Sequence, residues 1–216
     1  MATRRDFLNF VTRVLLGAIT VSQAGWIKGA SVFAQIKKRI LPKGTDPAGL
    51  AKENPAYLDT RHLRLMALDA FKTMGDEDAP FNPNTWTLAV TGAVRNPLEL
   101  NYVKILNMRS IERAVLLVCP GFFSNHGRWE GFSITEIMKQ AEPLEKVTKA
   151  FFYGHSETGE RKETFTIAEV KNDKVFLAYG VNGRLLPRKH GFPLRVVAEG
   201  HWGSHWLKYV YKVEFA

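Results

Sequence analysis

The sequence predicts an α+β fold, a single mixed-sheet domain behind an N-terminal extension. Three observations predict it. From residue 86 onward, short runs alternate apolar and polar side chains, the period of half-buried strands. Two or three short stretches with helical spacing lie between them. The 216 residues, 45% hydrophobic and 24% charged, suffice for one packed core plus an extension, with no internal repeat or low-complexity tract.

The elements follow in order. Residues 37–55, rich in Lys, Pro and Gly, read as a linker or wrapping arm. Leu63, Leu65, Met66 and Leu68 are spaced irregularly, and Asp76-Glu77-Asp78-Ala79-Pro80 reads as a loop. Residues 86–92 alternate as a strand, Asn96-Pro97 is a turn, and 98–100 is a short strand. Residues 102–108 suit a short helix. Residues 112–118 form a buried strand that runs into Cys119-Pro120-Gly121. Residues 133–141 have helical spacing at Ile134, Ile137 and Met138, and Ser133-Ile134-Thr135-Glu136 satisfies a capping box. Strands are expected at 149–153, 164–168, 175–179, 194–198 and 208–215.

Paired arginines in Thr3-Arg4-Arg5-Asp6-Phe7-Leu8, followed by an apolar stretch from about residue 14 to 27, resemble a twin-arginine export signal. That stretch falls short of the roughly 20 residues a membrane span needs. Val32-Phe33-Ala34 permits cleavage before Gln35, and Ser22-Gln23-Ala24 is a second option; a retained amphipathic helix would instead tether the chain. Three segments are therefore expected: a signal at 1–34, a linker or wrapping arm at 35–57, and the domain at 58–216. The signal implies the twin-arginine translocation machinery as a partner and a periplasmic destination, reached folded.

The net charge is +9, of which the first 34 residues carry +3. That balance suits an anionic ligand, nucleic acid or an acidic surface. The basic residues are scattered, no standard DNA- or RNA-binding motif occurs, and no nucleic-acid partner is expected. Neither a Walker A loop nor a G-x-G-x-x-G loop occurs between strand and helix. One cysteine excludes an intramolecular disulfide.

Two constellations carry candidate chemistry. Cys119-Pro120-Gly121 sets a soft thiolate at a strand end, with Gly127-Arg128-Trp129-Glu130-Gly131 behind it. His190, Arg195 and Lys208 punctuate glycine-rich turns that could hold a phosphate: Arg as a fork, Lys as a point charge, glycines as bare N–H groups. A zinc site at His190, His201 and His205 and a Cys–His hydrolase using His126 or His190 stay open on these residues alone.

With both constellations placed, the chain resembles the molybdopterin oxidoreductases of the sulfite oxidase family, and in architecture their periplasmic methionine-sulfoxide reductase branch. The likeness is carried by Gly183-Arg184-Leu185-Leu186-Pro187-Arg188-Lys189-His190-Gly191-Phe192-Pro193-Leu194-Arg195-Val196-Val197. Cys119 with Trp129-Glu130-Gly131 ten residues on, and Gly203 with Lys208 five residues on, carry the rest. The resemblance implies a fold of the sulfite oxidase molybdopterin-binding type. It implies molybdenum held by Cys119 and by a molybdopterin dithiolene, with Cys119 the catalytic residue. It further implies cofactor contacts at Asp69, Lys72, Thr73, Ser156, His190, Arg195, Trp206, Leu207 and Lys208, and places His126, Arg128 and Trp129 at the border of a substrate funnel. Oxygen-atom transfer on a small oxo-substrate is expected, most simply S-oxide reduction. Electrons would be exchanged with a separate membrane or periplasmic haem- or quinone-linked protein. Ser124 stands where sulfite oxidases carry an arginine for their anion, which weakens a sulfite assignment. A sulfite dehydrogenase feeding a cytochrome, or a non-enzymatic module on this scaffold, are the alternatives.

Overall fold

The computed structural model describes residues 37–216. The paired arginines, the apolar stretch and both cleavage positions lie outside the described residues. Among the described residues no helix is long and apolar enough to cross a membrane.

Two five-stranded sheets form the domain, and three short helices accompany them. The first sheet is antiparallel: β5 (Ser110–Cys119), β6 (Phe123–Ser133) and β9 (Val175–Val181) lie side by side, and β10 (Arg184–Leu185) and β11 (Arg195–Ala198) both pair with β9. The mixed character resides in the second sheet, ordered β4 (Leu98–Asn101), β3 (Thr87–Gly92), β12 (Val210–Phe215), β7 (Lys149–Ser156) and β8 (Gly159–Thr166). There β12 runs parallel to β3 and antiparallel to β7. A two-residue parallel ladder joins β1 (Arg39–Ile40) to β2 (Leu58–Asp59). The helices are α1 (Tyr102–Leu106), α2 (Ile134–Ala141) and α3 (Ile167–Lys171).

Pattern explains most of this. Every residue of Val175–Val181 is buried, as a strand flanked on both sides and covered on both faces must be. Trp129, Phe132, Phe152, Phe176, Val213 and Phe215 fill the main core. A second cluster is smaller. Leu41, Leu50, Leu58 and Leu63, from the chain ahead of the sheets, pack on Leu116 and Val118 of β5.

Residues 123–133 form a strand where the sequence pattern predicts no element. Gly127 and Gly131 sit inside it because a Cβ would strike the Phe71 ring at the first and the Leu177 carbonyl at the second. Two expectations are corrected. The alternation at 164–168 stops at Thr166, where α3 begins. Thr166 accepts from Glu169 N (3.2 Å) and Glu169 accepts from Thr166 N (2.9 Å), a reciprocal capping box. The box expected at Ser133 is only half made. Ser133 Oγ accepts from Thr135 N at 3.1 Å, while Glu136 pairs with Lys139 at 2.7 Å.

Candidate active site

Strand alternation sorts β5 and β6 into two faces. Leu117, Cys119, Phe123 and Asn125 line a cleft of about 530 Å³. Leu116 and Val118 face the opposite way, toward the N-terminal arm, and so do their cross-strand partners His126 and Ser124.

This alternation corrects the expected substrate funnel. His126 Nδ1 lies 3.0 Å from Arg64 O, and the side chain is buried behind the sheet. Arg128 is exposed on that same face, beside Glu112 at 3.5 Å. Trp129 is buried in the core, its indole N–H donating to Val115 O. Ser124 donates to Pro47 O. Its side chain therefore does not set the charge of the cleft, and Ser124 does not discriminate against sulfite.

Nine of the ten residues expected to hold the cofactor or metal meet at this one cleft: Lys72, Thr73, Cys119, Ser156, His190, Arg195, Trp206, Leu207 and Lys208. Asp69 does not join them. It lies exposed on the turn Leu68–Ala70, which directs the next residue, Phe71, into the core instead. The cleft also holds groups that sequence reasoning passed over: Met74, Phe122, Asn125, His155 and Arg161. Asn125 clamps the facing segment, accepting from Lys72 N at 3.1 Å and donating to Lys72 O at 2.8 Å.

The wall from His190 to Lys208 is electrostatically unusual. Arg195 is 4% exposed, donates to His190 O (2.9 Å) and Trp206 O (3.2 Å), and lies 5.1 Å from the Trp129 ring centre. No carboxylate pairs with it among the described residues, and burial lowers its pKa to about 10. Burial, with Arg195 next, lowers Lys208 to about 8. Burial, with Arg195, Lys189 and Lys208 adding, lowers His190 to about 4, so its imidazole is neutral at pH 7. Three nitrogens of this wall, His190 Nε2, Arg195 Nε and Trp206 Nε1, are buried without a partner. Buried polar atoms rarely stay unpaired, and a buried cation with no counter-charge is costly. Together they call for an anionic ligand rich in acceptors.

Lys208 bridges to the facing segment. Its Nζ donates to Thr73 Oγ1 (2.8 Å), Met74 O (3.1 Å) and Asp76 O (2.7 Å). Tyr209, at φ 55°, donates from its hydroxyl to the same Asp76 O. Cys119 presents a thiol whose pKa burial raises, with no cation holding it down. The hydrolase reading has no support in this geometry. His126 is on the other face of β6. His190 lines the same cleft but makes no hydrogen bond to Cys119, whose Sγ meets Met74 Sδ while His190 Nε2 has no partner. Zinc has no support either. His201 pairs with Glu169 (2.7 Å) and His205 with Glu163 (2.9 Å). Among the described residues no group of three or more His, Cys, Asp or Glu is placed to hold a metal ion.

Comparison with known proteins points the same way. Residues 76–216 match the family described as oxidoreductase molybdopterin binding domain. A protein-methionine-sulfoxide reductase catalytic subunit of Gluconobacter oxydans is 27% identical over 148 residues, covering 62% of this chain and 47% of the relative. Its counterpart in Burkholderia mallei is 27% identical over 227 residues, covering 94% of this chain and 68% of the relative. The chain thus spans about half the length of the first and about two thirds of the second. Among solved structures, the sulfane dehydrogenase SoxCD of Paracoccus pantotrophus superposes with a TM-score of 0.59 over 90% of this chain and 54% of its own. At 15% identity that likeness is one of fold.

Proposed function

The chain belongs to the oxidoreductase molybdopterin-binding domain family, and from that premise we propose that it is a periplasmic enzyme reducing S-oxides. The residues of the cleft fit the family's cofactor. Cys119 would ligate molybdenum as a single soft thiolate. Arg195 and Lys208 would meet the pterin phosphate, and the unpaired nitrogens of His190 and Trp206 would donate to the pterin or its phosphate. When bound, the cofactor supplies two-electron oxygen-atom chemistry. Thr73 and Ser156 would add hydroxyl contacts, Lys72 a further cation and Leu207 an apolar contact. His190, neutral at pH 7, can donate a hydrogen bond there without adding charge.

The observation that carries the choice of substrate is the surroundings of Cys119. Its neighbours are Pro120, Phe122 (68% exposed) and Met74 (48% exposed). Such a lip suits a neutral S-oxide better than the sulfite dianion, which needs a cation close to the reacting atom. The reaction consumes two electrons and two protons and releases the thioether and water. The names of the relatives support the same class. The arginine pair at Arg4 and Arg5 supports export to the periplasm. A separate haem- or quinone-linked donor would supply the electrons.

The test is to purify the protein from a host that makes the cofactor and to measure metal, pterin and turnover. The expected result is about one molybdenum per chain, with sulfoxide reduction by a reduced dye outrunning sulfite oxidation. Protein free of metal and pterin, or sulfite as the better substrate, defeats the proposal.

A further inference from the structure

Four methionines fall among the described residues, and Met74 differs from the other three. Met66, Met108 and Met138 are half-buried and pack against the core. Met74 is 48% exposed, and its Sδ lies 3.9 Å from Cys119 Sγ. Its backbone is held from two sides. Asn125 grips Lys72 through both N–H and C=O, and Lys208 Nζ ties Thr73, Met74 and Asp76. A fixed backbone carrying an unbranched thioether keeps that sulfur at the reacting end of the cleft at high effective concentration. Its exposure leaves it open to an oxidant, unlike the packed methionines.

We propose that Met74 is a redox-active residue, oxidised in place by peroxide and reduced in cis by the active site beside it. The inference rests on the S-oxide reductase reading above. In the first step the Met74 sulfur attacks a peroxide oxygen. The S–O bond forms, the O–O bond breaks, and water leaves. In the second the S–O bond breaks and the oxygen departs as water with two protons from solvent. The two electrons come from the donor that drives S-oxide reduction. Until it is reduced, the Met74 sulfoxide competes with any external substrate for the space beside Cys119.

Cofactor-loaded enzyme is treated with hydrogen peroxide, freed of it, and divided. One half receives a reduced viologen dye, and the methionine peptides of both halves are weighed. Met74 is expected to gain one oxygen about fivefold or more ahead of Met66, Met108 and Met138. The dye is expected to remove about half or more of that oxygen, because peroxide makes both sulfoxide epimers and a chiral site can favour one. The rate should not change on roughly tenfold dilution, the mark of an intramolecular reaction. Cys119→Ser protein, oxidised alike, should keep its oxygen. Met74 sulfoxide that persists in enzyme turning over free methionine sulfoxide overturns the proposal and leaves the reductase reading intact. So does a removal rate that falls on dilution, or oxidation of Met74 no faster than its packed counterparts. Failure to reduce either sulfoxide overturns both.

Discussion

His190, His201 and His205 come from one stretch of chain and end in opposite electrostatic circumstances. His201 and His205 face outward, and each finds a carboxylate, Glu169 at 2.7 Å and Glu163 at 2.9 Å. His190 faces inward, 2% exposed, with Arg195, Lys189 and Lys208 as its charged neighbours and no partner at Nε2. The outer pairs are complete without a ligand. The inner group is not, since burial of cations and donors without acceptors is unfavourable. The difference separates charge that serves the fold from charge kept for a ligand, where residue type alone could not.

Substitutions test whether inner and outer charge differ in this way, beginning inside the cleft. Cys119→Ser should lower S-oxide turnover on the order of a thousandfold or more while pterin remains bound. Steady-state assays alongside pterin fluorescence check both halves. Arg195→Met removes the buried cation but leaves His190 O and Trp206 O without a donor. Those terms oppose each other, so thermal stability should move by no more than about 2 kcal/mol. Cofactor content should fall roughly tenfold or more, because the phosphate loses its charge-assisted donor. Elemental analysis and calorimetry on the same sample separate the two effects.

The inward histidine also responds to pH. Its pKa is held at about 4, below the ordinary value near 6.5. The unfolded chain takes up the proton first, so stability declines as pH falls from about 6.5 to about 4 and is unaffected by this group outside that window. His190→Gln should remove on the order of 1–2 kcal/mol of that decline, read from denaturant midpoints at pH 7 and pH 4.5. The smallest effect belongs to the outer pair. Glu163→Gln should cost less than about 1 kcal/mol and leave turnover unchanged. A large loss of activity there would show that the outer contacts also serve the site.

Legibility in the sequence followed locality. The strands at 87–92, 149–156 and 210–215 announce themselves by alternation, and Cys119 by the apolar run that leads to it. β6 does not, because Ser124, Asn125 and His126 are buried against the arm or the cleft rather than in an apolar layer. The start of α3 was hidden because Thr164-Phe165-Thr166-Ile167 continues the strand period into the helix, and only Glu169 marks the change. The wall from His190 to Lys208 was legible as one motif. Met74 and Asn125 were not, since each joins the cleft through a partner some 50 residues away in the chain. The face that Ser124 presents depends on strand register, which its distance from Cys119 does not reveal.

The arm at the back of the β5–β6 hairpin bears on where an independently folding unit must begin. Gly121 N donates to Ala51 O and Ser124 to Pro47 O, while Leu41 and Leu50 back Leu116 and Val118. Although the Burkholderia relative aligns over 94% of the chain, the family match starts at residue 76. A chain cut there would keep Cys119 but lose the buttress behind its hairpin and the Lys72–Met74 segment in front of it. The unit that holds the thiol in place is thus larger than the segment that matches the family.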